Sequence, residues 1–240
     1  CIAKRIEQGE KDVSTIIFGM SITIQSLLSM GDRLKSGTLS VREIVPVTVD
    51  EFGDEDTEQD DTELTQRTIQ KTLEIKKLYA RLKTQTRLIQ DTTAKTALRK
   101  QQVHARIDAI VEQITQTVNE INFRPRVRDE LARTVESLAM EVEAADREIA
   151  RCRTRLGIAG DKETRVLKQL IRGPKSLDTV KERHHLSQES ATYIATAYKK
   201  ALERRKATED IALISADALK DAGQRLKFAD GRIKKGKSEL

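Results

Sequence analysis

Apolar residues recur every three or four positions along most of this chain, the period of one face of an α-helix. Ile2, Ile6, Val13, Ile16, Ile17, Met20, Ile24, Leu27 and Leu28 make a first stripe, with a predicted bend or break at Gly19–Ser21. "GDRLKSGTLSVREIV" follows, read as punctuated by Gly31 and Gly37, with Ser40 placed to cap a short turn carrying Val41, Ile44 and Val45. Ile75, Leu78, Leu82 and Ile89 mark a helix over Leu64–Ile89, and Val103, Ile107, Ile110, Ile114, Val118 and Ile121 a second. Pro125 disfavours helix at the preceding Arg124, so "NFRPRVRD" is read as a break. The cleanest stripe comes next: Val127, Leu131, Val135, Leu138, Val142, Ala145, Ile149, Cys152 and Leu156. Gly157 suits its C-cap, and Asp161 suits the N-cap of a short helix carrying Val166, Leu167, Leu170 and Ile171. "RGPKS" ends that helix, and Leu177 and Val180 suggest one more short turn. A helix capped by Ser187 or Ser190 then carries Ile194, Ala197, Ala201 and Leu202. The last helix starts after Ser215 and runs to the chain end with Leu226, Ala229, Ile233, Gly236 and Leu240 on one face. No capping glycine or proline follows, so it reads as cut rather than finished.

One segment breaks the pattern. "VDEFGDEDTEQDDTE" holds nine carboxylates and no basic residue. Like charges at this density repel and bury nothing, so a disordered acidic loop is expected at 46–63. It lacks the spacing of a calcium-binding loop. Strict apolar–polar alternation is confined to "VPVTV", so almost no strand is expected. Stripes of this width need partners. The expected fold is all-α: an antiparallel multi-helix bundle, with a long helical hairpin over Leu64–Ile121.

Composition sharpens this. Of 240 residues, 38% are hydrophobic but only 3% aromatic, which disfavours a sheet protein. Two cysteines, Cys1 and Cys152, form no CxxC pair, and a reducing cytoplasm is the expected location. Cys1 in first position fits a lipoprotein poorly, because a helical stripe follows without a tether. "STIIFGMSITIQSLLSM" is the most apolar stretch, but it is interrupted by Ser, Thr and Gln, so a buried helix or helix pair is expected and no membrane. Net charge is +6, unevenly placed.

Chemistry is sparse. His184 and His185 are adjacent and cannot share one helical face, and His104 stands alone. No phosphate-binding glycine loop or nucleophile elbow occurs. No catalytic residue, metal or cofactor is expected. The contrast of acidic loop and basic helix ends remains. Arg232, Lys234, Lys235 and Lys237 crowd the last helix, and cations so placed suit a phosphate backbone or an acidic protein surface without base reading. Phe228 is the only aromatic near them.

Both ends carry a resemblance. "IAKRIEQGE" (Ile2–Glu10) resembles the helix closing the first conserved block of bacterial primary sigma factors, the sigma-70 family of RNA polymerase specificity subunits. "LISADALKDAGQRLKFADGRIKKGKSEL" (Leu213–Leu240) resembles the entry into their second conserved block. Between these blocks, proteobacterial primary sigma factors carry a helical insertion with an acidic tract near its start. "VDEFGDEDTEQDD" stands where that tract would be, and "FRPRVRDELARTVESLAMEVEAADREIARC" is similar to the insertion's central helices. The resemblance implies one helical domain: N-terminal helices at 1–45, the acidic loop at 46–63, the insertion at 64–212, and at 213–240 a helix leading into the next block. It implies a non-enzymatic scaffold within a transcription initiation factor. Its partners would be the RNA polymerase core, at the clamp region, and promoter DNA through the rest of the parent protein. It also implies that the two end helices are neighbours. A free-standing helical adaptor or coiled-coil protein is the alternative.

Overall fold

The computed structural model describes residues 2–46, 57–91, 97–158 and 162–239. Among them are ten helices and no strand, as the helical period predicts. These are α1 (Ile2–Phe18), α2 (Ser21–Lys35), α3 (Val41–Ile44), α4 (Thr57–Asp91) and α5 (Ala97–Ile121). They continue as α6 (Pro125–Leu156), α7 (Lys162–Leu170), α8 (Pro174–Arg183), α9 (Gln188–Ala212) and α10 (Ala216–Ser238). Backbone contacts divide the chain into two compact units. The first holds Cys1–Val135 with Gln224–Leu240, and the second holds Glu136–Gly223.

In the first unit, the initial apolar stripe is two helices meeting at an 84° bend. Thr23 reinforces the corner: its hydroxyl lies against the carbonyls of Ile17 and Met20, which also accept from the amides of Met20 and Ile24. Ile17, Phe18, Ile24 and Leu27 are fully buried around it. No single helix among the described residues is long and apolar enough to cross a membrane.

α4 and α5 pack side by side as the expected hairpin, and α2 and α3 both lean on α4. Ile75, Leu78, Leu82, Ile114 and Val118 bury the facing stripes. At the edge, Lys71 reaches Glu120 of α5 at 2.5 Å and Glu74 at 3.4 Å. Its hydrogen bond to Glu120, above all, raises the Lys71 pKa.

The break before Pro125 has a tertiary partner. Asn122 takes a left-handed conformation, with φ 56°, and turns Phe123 into the core. The Arg124 amide then donates to the Ile44 carbonyl at the end of α3 (2.8 Å). α3 itself starts on a capping box formed by Ser40 and Glu43.

Three readings of the sequence need correction. The acidic stretch expected as loop to residue 63 turns helical at Thr57, where α4 begins. Carboxylates in a first helical turn face the positive end of the helix dipole, which offsets their mutual repulsion. Asp61 also holds Arg42 across the surface at 2.6 Å. Residues 47–56, with most of the acidic tract, lie outside the described residues, as do Cys1, Asp161 and Leu240. Next, Gly31 does not punctuate a loop. It sits inside α2, where an added Cβ would come within 2.8 Å of the Thr72 Cβ on α4. Finally, the short turn around Leu177 is a ten-residue helix, because Pro174 at its first position favours a helical start.

The second unit has its own core. Cys152, Leu156, Val166, Leu167, Leu170, Val180, Ala191, Ile194, Ala195 and Tyr198 pack together from α6 to α9. Of the two serines proposed to cap α9, Ser187 does so, its hydroxyl accepting from the Ser190 amide at 3.1 Å. α6 and α9 run antiparallel: the Cys152 Sγ meets the Ile194 carbonyl at 3.9 Å, while Asp146 meets Arg205 at 3.4 Å. Burial pushes the Cys152 thiol up, with Glu148 adding to the shift.

Two measurements check this packing. Replacing a helix-interior glycine by alanine ordinarily stabilises by about 0.5–1 kcal/mol. Gly231→Ala, with open space around the new methyl, should show that gain in chemical denaturation. Gly31→Ala should instead cost about 1–3 kcal/mol, because the Thr72 Cβ belongs to a packed helix and cannot swing aside. A gain at both positions would refute the α2–α4 approach. In a Cys1→Ser chain, Cys152 should resist a thiol-specific disulfide reagent at pH 8 and react fully in denaturant. Rapid native reaction would contradict its burial.

Candidate functional site

The basic cluster lies on the part of α10 that belongs to the first unit. Leu226 and Ala229 are buried there, and Ile233 and Gly236 continue the stripe. This stripe faces α1. An added Cβ on Gly9 would stand 2.7 Å from the Ile233 side chain, and one on Gly236 would stand 2.6 Å from that of Ile6. Each helix therefore places an isoleucine over the other's glycine, and the two run antiparallel. Ion pairs flank the seam: Arg5 with Glu239 at 2.6 Å, and Arg232 with Asp12 at 3.1 Å. The adjacency of the end helices, expected from the resemblance, is present.

Packing outweighs the ion pairs here. Both pairs are about a third to a half exposed, and such pairs contribute about 0–1 kcal/mol each. Fully burying one isoleucine contributes about 1.5–3 kcal/mol, and Ile6 and Ile233, both half-buried, together reach a comparable sum.

The four cations separate by role. Arg232 turns inward and joins α10 to α1. Lys234 lies over Asp230 of its own helix at 2.6 Å. Lys235 and Lys237 are exposed and make no ion pair among the described residues. Nor do the four share a face. At about 100° per residue, Arg232 and Lys237 flank the buried stripe on opposite sides. Lys234 and Lys235 point outward, beside Lys227 and Phe228 on the same face. Phe228 is 71% exposed, unusual for a phenylalanine. Its exposure was hidden in the sequence, where it could equally have joined the buried stripe.

No group of three or more His, Cys, Asp or Glu is gathered for a metal among the described residues. His184 is the C-cap of α8, His185 follows with φ 53°, and His104 is exposed.

Residues 22–161 match the family described as sigma-70, non-essential region. The match takes in α2 to α6, more than half of the chain, and the chain belongs to that family. It is thereby a segment of a sigma-type transcription initiation factor rather than an unrelated helical adaptor. The basic cluster and the α1–α10 seam fall outside the matched span. No curated protein matches the chain.

The seam yields a test of its own. Ile6→Asp replaces the half-buried side chain that covers Gly236 with a carboxylate, and should cost about 1–3 kcal/mol in denaturant unfolding. A variant as stable as the parent would mean that the seam contributes nothing.

Proposed function

We propose that this chain is the scaffold segment of a sigma factor that joins RNA polymerase core at its clamp region, acts in the cytoplasm, and lends promoter DNA a sequence-independent contact. The family match carries the sigma-factor part of this reading. Charge supports the contact: Lys235 stands exposed on the outward face and Lys237 exposed at the edge of the buried stripe, neither in an ion pair among the described residues. Lysines of this kind neutralise phosphates and release counterions, and they do not read bases. Arg232 serves structure, because its charge is already met by Asp12. No step of catalysis is involved.

The segment's helices supply a fixed frame rather than a reader. One aromatic side chain, Phe228, stands on the outer face, too few for stacking on successive bases. Promoter selectivity is accordingly assigned to other parts of the parent protein.

Labelled promoter and scrambled duplexes should bind the chain equally and weakly. Affinity should fall about tenfold between roughly 50 and 200 mM salt, the loss expected for two phosphate contacts. Lys235→Ala/Lys237→Ala should remove most of that salt dependence, while Arg232→Ala should keep it. Promoter-selective binding by this chain, or a salt response unchanged in the double variant, would overturn the proposal.

A further inference from the structure

A second basic site lies in the second unit. α6 and α9 leave an open groove of about 380 Å³ between them, within the range of small-ligand clefts. Its floor is four alanine methyls, from Ala144 and Ala145 on α6 and Ala197 and Ala201 on α9. Its rims are charged: Arg147, Glu148 and Arg151 on one side, Lys200 and Arg204 on the other. Four cations and one carboxylate therefore line it, with Glu143 beside Arg147 just outside.

The antiparallel pairing of the helices sets the layout. Arg147 lies towards Arg204, and Arg151 towards Lys200, as the Asp146–Arg205 and Cys152–Ile194 contacts fix the register. On each helix the two cations are one turn apart, about 6 Å. The rims are separated by about the 8–10 Å of packed helices. The cations thus stand at the corners of a small rectangle over an apolar floor. Two are already engaged, weakly: Arg151 with Glu148 at 3.1 Å, and Arg147 with Glu143 at 3.9 Å. Both arginines remain about 70% exposed. Lys200 and Arg204 make no ion pair among the described residues.

We infer that this groove binds a small oligophosphate, an anion carrying three or more linked phosphoryl groups. A single phosphate carries too few oxygens and too little charge to engage all four cations, whereas a linked chain can meet the pair on each rim. Guanidinium groups grip phosphoryl oxygens in pairs, and the lysine adds a point charge. The floor has no donor or acceptor, so the groove selects charge and length rather than a hydroxyl pattern. An acidic helix of a partner protein fits less well. The groove runs for only about two turns, and alanine methyls offer an incoming apolar side chain little depth. Glu148 is the opposing element, since it repels the anion and occupies Arg151.

The test is calorimetric titration of the 240-residue chain at about 20 mM salt, where exposed charges are least screened. Inorganic triphosphate and ATP are the probes, in separate arms. Triphosphate should bind one per chain. Arg147→Ala/Arg204→Ala should weaken it about tenfold or more, and Glu148→Gln should tighten it about threefold. Lys76→Ala/Lys77→Ala, which removes two exposed charges on α4, should leave it within about twofold. Equal affinity for ATP would identify the phosphate chain as the whole ligand. Tighter ATP binding would add the base as a cover for the alanine floor. Circular dichroism of each variant confirms the fold. No saturable binding, several triphosphates per chain, or equal losses in the groove and α4 variants would overturn the inference. So would weaker binding after Glu148→Gln.

Discussion

The close approach of α1 and α10 is the constraint on which the first unit's closure depends. Two glycines make it possible, one on each helix, each covered by an isoleucine of the other. Helix axes can come this near only where no Cβ intervenes. The helices come from opposite ends of the chain, so their packing joins both ends of the sequence within the first unit. The charged contacts beside the seam fix its register more than its strength. Arg5 and Glu239 sit at one end and Arg232 and Asp12 further along, and a slip of one turn would break both.

The same packing decides what the basic helix can offer. Because Leu226, Ala229, Ile233 and Gly236 are spent on α1 and the core, the outward face is left to Lys227, Phe228, Lys234 and Lys235. A helix held from behind loses little further entropy when a partner binds in front. The outward cations are therefore held on a packed helix. In the second unit, alanines play a comparable part. Small side chains on α6 and α9 keep the space between the helices open, and the long cations beside it reach over the edge.

Helix content was legible because burial in a bundle imposes a period of three to four residues on the sequence, and α5, α6 and α9 follow it closely. Caps were legible where a side chain has one job, as at Ser40 and Ser187. Glycine was ambiguous. Gly37 turns the chain with φ 71°, Gly31 admits a neighbouring helix, and the letters alone do not distinguish them. The start of α4 was obscured because carboxylates both repel one another and favour a helix N-terminus. The basic cluster was visible as composition, but its division was not. Asp12, which occupies Arg232, lies 220 residues away in the chain. The groove between α6 and α9 was equally hidden, since its cations come from helices separated by two others.

The seam also imposes an order of events during synthesis. Its ion pairs join residues 220 and 234 positions apart, so α1 leaves the ribosome long before its partner exists. At about 5–20 residues per second, that wait is roughly ten to fifty seconds. Over that interval Ile2, Ile6 and Gly9 form an uncovered apolar strip on the nascent chain. The strip is amphipathic and interrupted by Lys4, Arg5, Glu7 and Gln8, which keep it hydrated while it waits. A sequence that must hold one edge of a domain open while more than 200 further residues are made has reason to keep that edge narrow and charged.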